Sequence, residues 1–142
     1  MKRRILLVDD DLAVLLTLKA VLEFHGFDVD TASSTPEALT RLENSTYQMV
    51  ISDLRMETED AGLEVIRVAR SQSYDPAVAL LTAFPPSGEH WEQEHSESLL
   101  VKPLGTNNLL RQLEALLVRH EDAKQARRFS AAGTQAANRK AG

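Results

Sequence analysis

The run Ile5-Leu6-Leu7-Val8 is apolar at every position and is cut off by three consecutive aspartates, Asp9, Asp10 and Asp11. A strand with one wet face alternates apolar and polar side chains. A run without alternation fits a strand covered on both faces, as in a parallel sheet flanked by helices. Ala77–Leu81 repeats the pattern and ends in Thr82. Phe27–Thr31, Gln48–Ser52 and Ser98–Val101 supply three further short strand candidates.

Longer, helix-periodic stretches separate these runs. Residues 12–24 set Val14, Leu18, Val21 and Leu22 on one face, with Gly26 as the stop signal. Ser34 and Glu37 have capping-box spacing, and Pro36 falls in the first turn of a helix ending near Asn44. Leu63–Arg70 reads as a short helix with Val65, Ile66 and Val68 or Ala69 inward. The last helix runs from Thr106 to about Val118 on a stripe of Leu109, Leu110, Leu113, Leu116 and Leu117. Strands alternating with helices predict an α/β fold: a doubly wound, five-stranded parallel sheet with helices on both faces. The rhythm breaks at residues 85–97, which open with Pro85 and Pro86 and hold Trp91 as the one large apolar residue. A short or irregular helix is expected there.

At 142 residues the chain has room for one domain with its own core. It has no cysteine, which excludes disulfides, thiol catalysis and cysteine-ligated zinc and fits a cytoplasmic setting. The opening MKRR-ILLV imitates an export signal, but its apolar core is shorter than the roughly 7–15 residues such a signal needs. No stretch approaches the ~20 apolar residues of a membrane span. Residues 1–118 carry 19 acidic against 10 basic side chains, whereas residues 119–142 carry 6 basic against 2 acidic. The acidic body is a poor surface for DNA. The aperiodic basic end, residues 121–142, is expected to be a disordered tail behind a domain of residues 1–120.

In an open parallel sheet, ligands gather outside the carboxyl ends of the strands. The groups there are Asp9, Asp10 and Asp11 after the first strand, Asp53 after the third, Thr82 after the fourth and Lys102 after the fifth. Clustered carboxylates repel one another and invite a hard cation such as Mg2+. A hydroxyl and an ammonium on neighbouring strand ends can hold the oxygens of an anion. Such a set suits phosphoryl transfer, which needs positioning and charge neutralisation more than covalent help. Each residue also has an ordinary explanation, with Asp11 the natural cap of the first helix. It is their order along four strand ends that carries the reading.

The segments ILLVDDD, VISDLRM, LLTA and LLVKPL resemble the motifs of response-regulator receiver domains of two-component signalling, of the stand-alone, chemotaxis-regulator-like kind. The resemblance covers about residues 3–118 and implies the flavodoxin-like strand order 2-1-3-4-5. It also implies that Asp53 is the phosphoacceptor, attacking a phosphohistidine of a sensor histidine kinase or phosphotransfer protein. Asp10 and Asp53 would bind Mg2+ directly, with the Arg55 main-chain carbonyl, and Asp9 through water. Lys102 would pair with the phosphoryl oxygens, and Thr82 would report their presence. The activity implied is self-phosphorylation from a phosphodonor and slow self-dephosphorylation, not turnover as an enzyme. Output would pass to a separate, unknown effector protein, with no direct DNA binding and no membrane, since no DNA-binding or catalytic segment follows.

The chain departs from the family pattern at Met56-Glu57, where Met-Pro is usual, and at Leu99, where an aromatic ring is usual. The output surface expected from the family is therefore open at Leu99 and residues 85–97. Glu57, Glu59 and Asp60 form either a solvated acidic loop or extra charge near the metal. Two other readings remain: a receiver-like interaction module independent of phosphorylation, and an aspartate-nucleophile phosphatase of haloacid-dehalogenase type built on Asp9 and Asp11.

Overall fold

The computed structural model describes residues 2–82, 98–101 and 106–141; of residues 98–101, 106–107 and 130–141 it describes the backbone alone. The apolar runs form the strands β1 (Arg4–Val8), β2 (Asp28–Ala32), β3 (Met49–Asp53), β4 (Ala77–Thr82) and β5 (Ser98–Val101). The periodic stretches form α1 (Leu12–Phe24), α2 (Thr35–Asn44), α3 (Ala61–Arg70) and α4 (Thr106–Ala141). All four strand pairings are parallel, in the order β2-β1-β3-β4-β5. The expectation for residues 85–97 lies outside the described residues.

Successive side chains on a strand point to opposite faces, and β1 shows it. Ile5 and Leu7 join Leu15 and Leu22 of α1 and Leu109, Leu113, Leu116 and Leu117 of α4 in one core. Leu6 and Val8 join Ala38 and Leu42 of α2 and Val65 and Ala69 of α3 in the other. Both faces are thus covered, which is why β1 needs no polar position. Burying the side chain of a leucine such as Leu6, fully enclosed here, contributes about 2 kcal/mol.

The helix ends follow local chemistry. Asp11 caps α1, its Oδ1 accepting the Ala13 N–H at 3.0 Å and the Val14 N–H at 3.4 Å. Gly26 follows at φ +92°, the left-handed conformation that favours glycine past a helix end. At α2 the capping box is half made. The Ser34 hydroxyl accepts the Glu37 N–H, while the Glu37 carboxylate reaches one residue further back, to the N–H and hydroxyl of Ser33.

The chain end differs from the sequence expectation. The helix does not stop near Val118 but runs on to Ala141, so residues 121–141 are helical rather than disordered. The reason is partly composition: Ala, Arg, Lys, Gln and Glu favour helix, and no proline interrupts them. The other reason is tertiary. His120 Nε2 donates to the Asp75 carbonyl at 2.8 Å, Lys124 Nζ to the Tyr74 carbonyl at 3.3 Å and Arg127 to the Asp75 carboxylate at 2.9 Å. These anchors hold the start of the extension against the turn between α3 and β4.

Candidate functional site

The register of the central strands decides which side chains meet. Val8 of β1 lies opposite Ser52 of β3, so Asp9 and Asp10 emerge beside Asp53, the last residue of β3. One carboxylate oxygen from each of Asp9, Asp10 and Asp53 lies within 4.8 Å of the others. Asp9 is 2% exposed and Asp53 8%, whereas Asp10 is exposed. The site therefore has a buried floor and an open side.

The three consecutive aspartates divide the work. Asp11 is spent on the cap of α1. Asp9 Oδ1 accepts the Asp11 N–H at 2.9 Å, which fixes the first carboxylate against the start of that helix. Asp10 faces outward, able to meet a ligand that arrives from water. At an effective dielectric near 20, two carboxylates about 5 Å apart repel by roughly 3 kcal/mol before solvent screening of the exposed one. A cation removes that cost. An all-oxygen donor set, two parts buried and one open to water, suits Mg2+, which keeps several waters and takes one or two carboxylates.

The neighbouring strand brings in the hydroxyl. Leu81 pairs with Asp53, and Thr82, 2% exposed, closes β4 one residue further on. Thr82 in turn pairs with Val101, the last residue of β5. Lys102 comes next in sequence but lies outside the described residues; the side chain of Leu99 is likewise outside them. Arg55 is exposed in the loop after β3.

Two features were not legible from residue types. Gly62, in the first turn of α3, packs directly on the main chain that carries Asp53. A Cβ there would overlap the Asp53 carbonyl oxygen and stand 2.8 Å from the Leu54 Cα. Its N–H donates to the Leu54 carbonyl at 2.9 Å, so the start of α3 and the strand end form one unit. Glycine near a helix start was the available signal, but the opposing backbone is known only from the fold. The second feature is Glu57. It is neither free in solvent nor turned to the aspartates: its two oxygens accept the N–H and hydroxyl of Thr35 at 2.7 and 2.8 Å. Those bonds, the N–H first, hold its carboxyl below the usual range.

A family model described as the response regulator receiver domain matches residues 5–114. Over 118 residues the chain is 37% identical to the response regulator MprA of Mycobacterium sp. (strain KMS), a match covering 82% of this chain and 51% of that protein. The chain thus spans about half the length of this curated relative. Among solved structures it is similar to the chemotaxis response regulator CheY4 of Vibrio cholerae, with a TM-score of 0.72 at 26% identity, covering 82% of this chain and 99% of that one. It is also similar to the response regulator TrrA of Thermotoga maritima in complex with Mg2+ and BeF, with a TM-score of 0.67 at 30% identity, covering 80% and 98%.

Proposed function

The chain belongs to the response-regulator receiver domain family of two-component signalling, and we propose that Asp53 is the residue on which it accepts a phosphoryl group. The observation that carries this is the meeting of Asp9, Asp10 and Asp53 within 4.8 Å at adjoining strand ends. An Asp53 carboxylate oxygen attacks the phosphorus of a phosphohistidine on a sensor histidine kinase or phosphotransfer protein. The P–N bond breaks, the imidazole takes the electron pair and a proton, and an aspartyl phosphate forms. Asp10, Asp53 and the Arg55 carbonyl would hold Mg2+, with Asp9 acting through water, and the bound ion would supply charge neutralisation for the phosphoryl oxygens.

The remaining groups have narrower tasks. The Thr82 hydroxyl hydrogen-bonds the phosphoryl group once it is present, and Lys102 pairs with its oxygens. The phosphoprotein decays slowly by self-dephosphorylation and passes its state to an effector. Among the described residues no helix is long and apolar enough to cross a membrane. The dehalogenase alternative loses its basis with the family assignment.

The test is intact-mass measurement after incubation with a small acyl phosphate and Mg2+. One phosphoryl group should appear on the wild type and none on Asp53→Ala. An unmodified wild type would mark the chain as an interaction module instead, and modification of Asp53→Ala would move the acceptor elsewhere.

A further inference from the structure

The loop from Leu54 to Asp60 joins the proposed phosphoacceptor to α3 and carries Arg55, whose carbonyl is a proposed metal ligand. The loop is short of regular structure, yet it is pinned at several points. Leu54 is buried with Ile66 and Leu80. Met56 donates its N–H to the Thr58 carbonyl at 3.0 Å and packs against the core under α2 and α3. The Thr58 hydroxyl donates to Asp60 at 3.0 Å.

Glu57 adds a longer reach. Its carboxylate grips Thr35 in two places, across 22 positions of sequence. Thr35 is the first residue of α2, so its N–H is one of the donors that a helix leaves unsatisfied. A carboxylate there also faces the positive end of the helix dipole. The geometry is that of a charge-assisted pair of bonds, the strong class for an exposed contact. A freely solvated glutamate would not hold one backbone N–H and the hydroxyl of the same residue together.

We infer that Glu57 is a positioning residue: by clamping Thr35 it ties the 54–60 loop to α2 and so holds the main chain at Arg55 in place for metal binding next to Asp53. The inference rests on the proposed role of the Asp53 site for its metal arm only. Its competitor is a charge effect, in which Glu57 acts on the cation through space. The two differ in what Glu57→Gln should do. The substituted side chain has no charge, but its amide oxygen can still accept the Thr35 N–H.

The experiment uses the full chain, with backbone amide exchange across 54–60 in the absence of metal and an amide-shift titration with MgCl2 alone. Glu57→Ala should raise exchange across the loop several-fold and weaken Mg2+ binding by roughly tenfold, the low end of the cost of losing an outer-shell partner. Thr35→Ala, which keeps its N–H, should move both readings the same way by less. Glu57→Gln should keep most of the loop protection and most of the affinity. Unchanged exchange in Glu57→Ala overturns the clamp. Glu57→Gln with a protected loop but the affinity of Glu57→Ala overturns it in favour of charge. A wild type blind to MgCl2 would instead sink the metal site itself, and the exchange arm would still decide the clamp.

Discussion

Gly62 and Asp53 touch through their main chains: the Gly62 Cα sits where any Cβ would run into the Asp53 carbonyl oxygen. The obstacle is backbone on a buried strand, so it cannot swing aside as a flexible side chain would. Gly62→Ala should cost about 1–3 kcal/mol or more in urea unfolding, the usual penalty for overpacking. Phosphoryl acceptance by the folded variant should fall as well, because the displaced main chain is the one that bears Asp53. A variant of wild-type stability would refute the close approach.

Removing Asp10 should have opposite effects with and without metal. Without Mg2+, Asp10→Ala relieves repulsion among three clustered carboxylates and should leave stability unchanged or raised by about 0.5–1 kcal/mol. With millimolar Mg2+ the wild type should gain stability through binding of the folded state, and Asp10→Ala should gain little. Paired urea titrations with and without MgCl2 read both arms.

Tyr47 gives the fold an alkaline limit. Its ring is 1% exposed, and its hydroxyl donates to Asp30 at 2.7 Å. Burial first, and then the Asp30 carboxylate, push its ionisation well above the ordinary range. The folded state therefore keeps a proton that the unfolded chain releases near pH 10. The contribution is complete below about pH 10 and is lost as pH rises beyond it, by at most about 1.4 kcal/mol per pH unit. Thermal unfolding between pH 8 and 11 should show the fall, and Tyr47→Phe should flatten it.

Asp75 is the one described residue other than glycine at positive φ, +47°. Aspartate tolerates that conformation better than most residues, and here its carboxylate and carbonyl are held by Arg127 and His120. Asp75→Ala would keep the strain and lose the carboxylate contact with Arg127, at about 1–2 kcal/mol. Amide exchange along residues 119–129 should accelerate, while Asp75→Asn should change it less. Equal exchange in wild type and Asp75→Ala would show that α4 holds its extension without this anchor.

The strands, and the meeting of the carboxylates that follow β1 and end β3, were legible because they depend on local composition: an unbroken apolar run stopped by aspartate can hardly be read another way. The same holds for the leucine stripe of α4, whose five members are all buried or packed against the core. The facing of α1 was less legible. Leu12, Leu15 and Leu16 compete with Val14 and Leu18, and periodicity alone cannot choose among so many apolar positions. The fold buries Leu22 and packs Val14 and Leu18 against the same core, as expected, but adds Leu15 and leaves Leu12 and Leu16 65% and 67% exposed. Glu57 and the extension of α4 were hidden for another reason. Each is decided by partners distant in sequence, Thr35 in one case and the Tyr74–Asp75 turn in the other.

The anchored length of α4 has a mechanical meaning. Its last described contact with that turn is Arg127, and the helix continues to Ala141, about 21 Å further at 1.5 Å per residue. A rigid rod fixed near one point magnifies rotation there. A tilt of about 10° at the Asp75 anchor would carry the far end of the helix through roughly 4 Å. Small repacking of leucines beneath α4 would thus become a displacement large enough for a neighbouring molecule to feel.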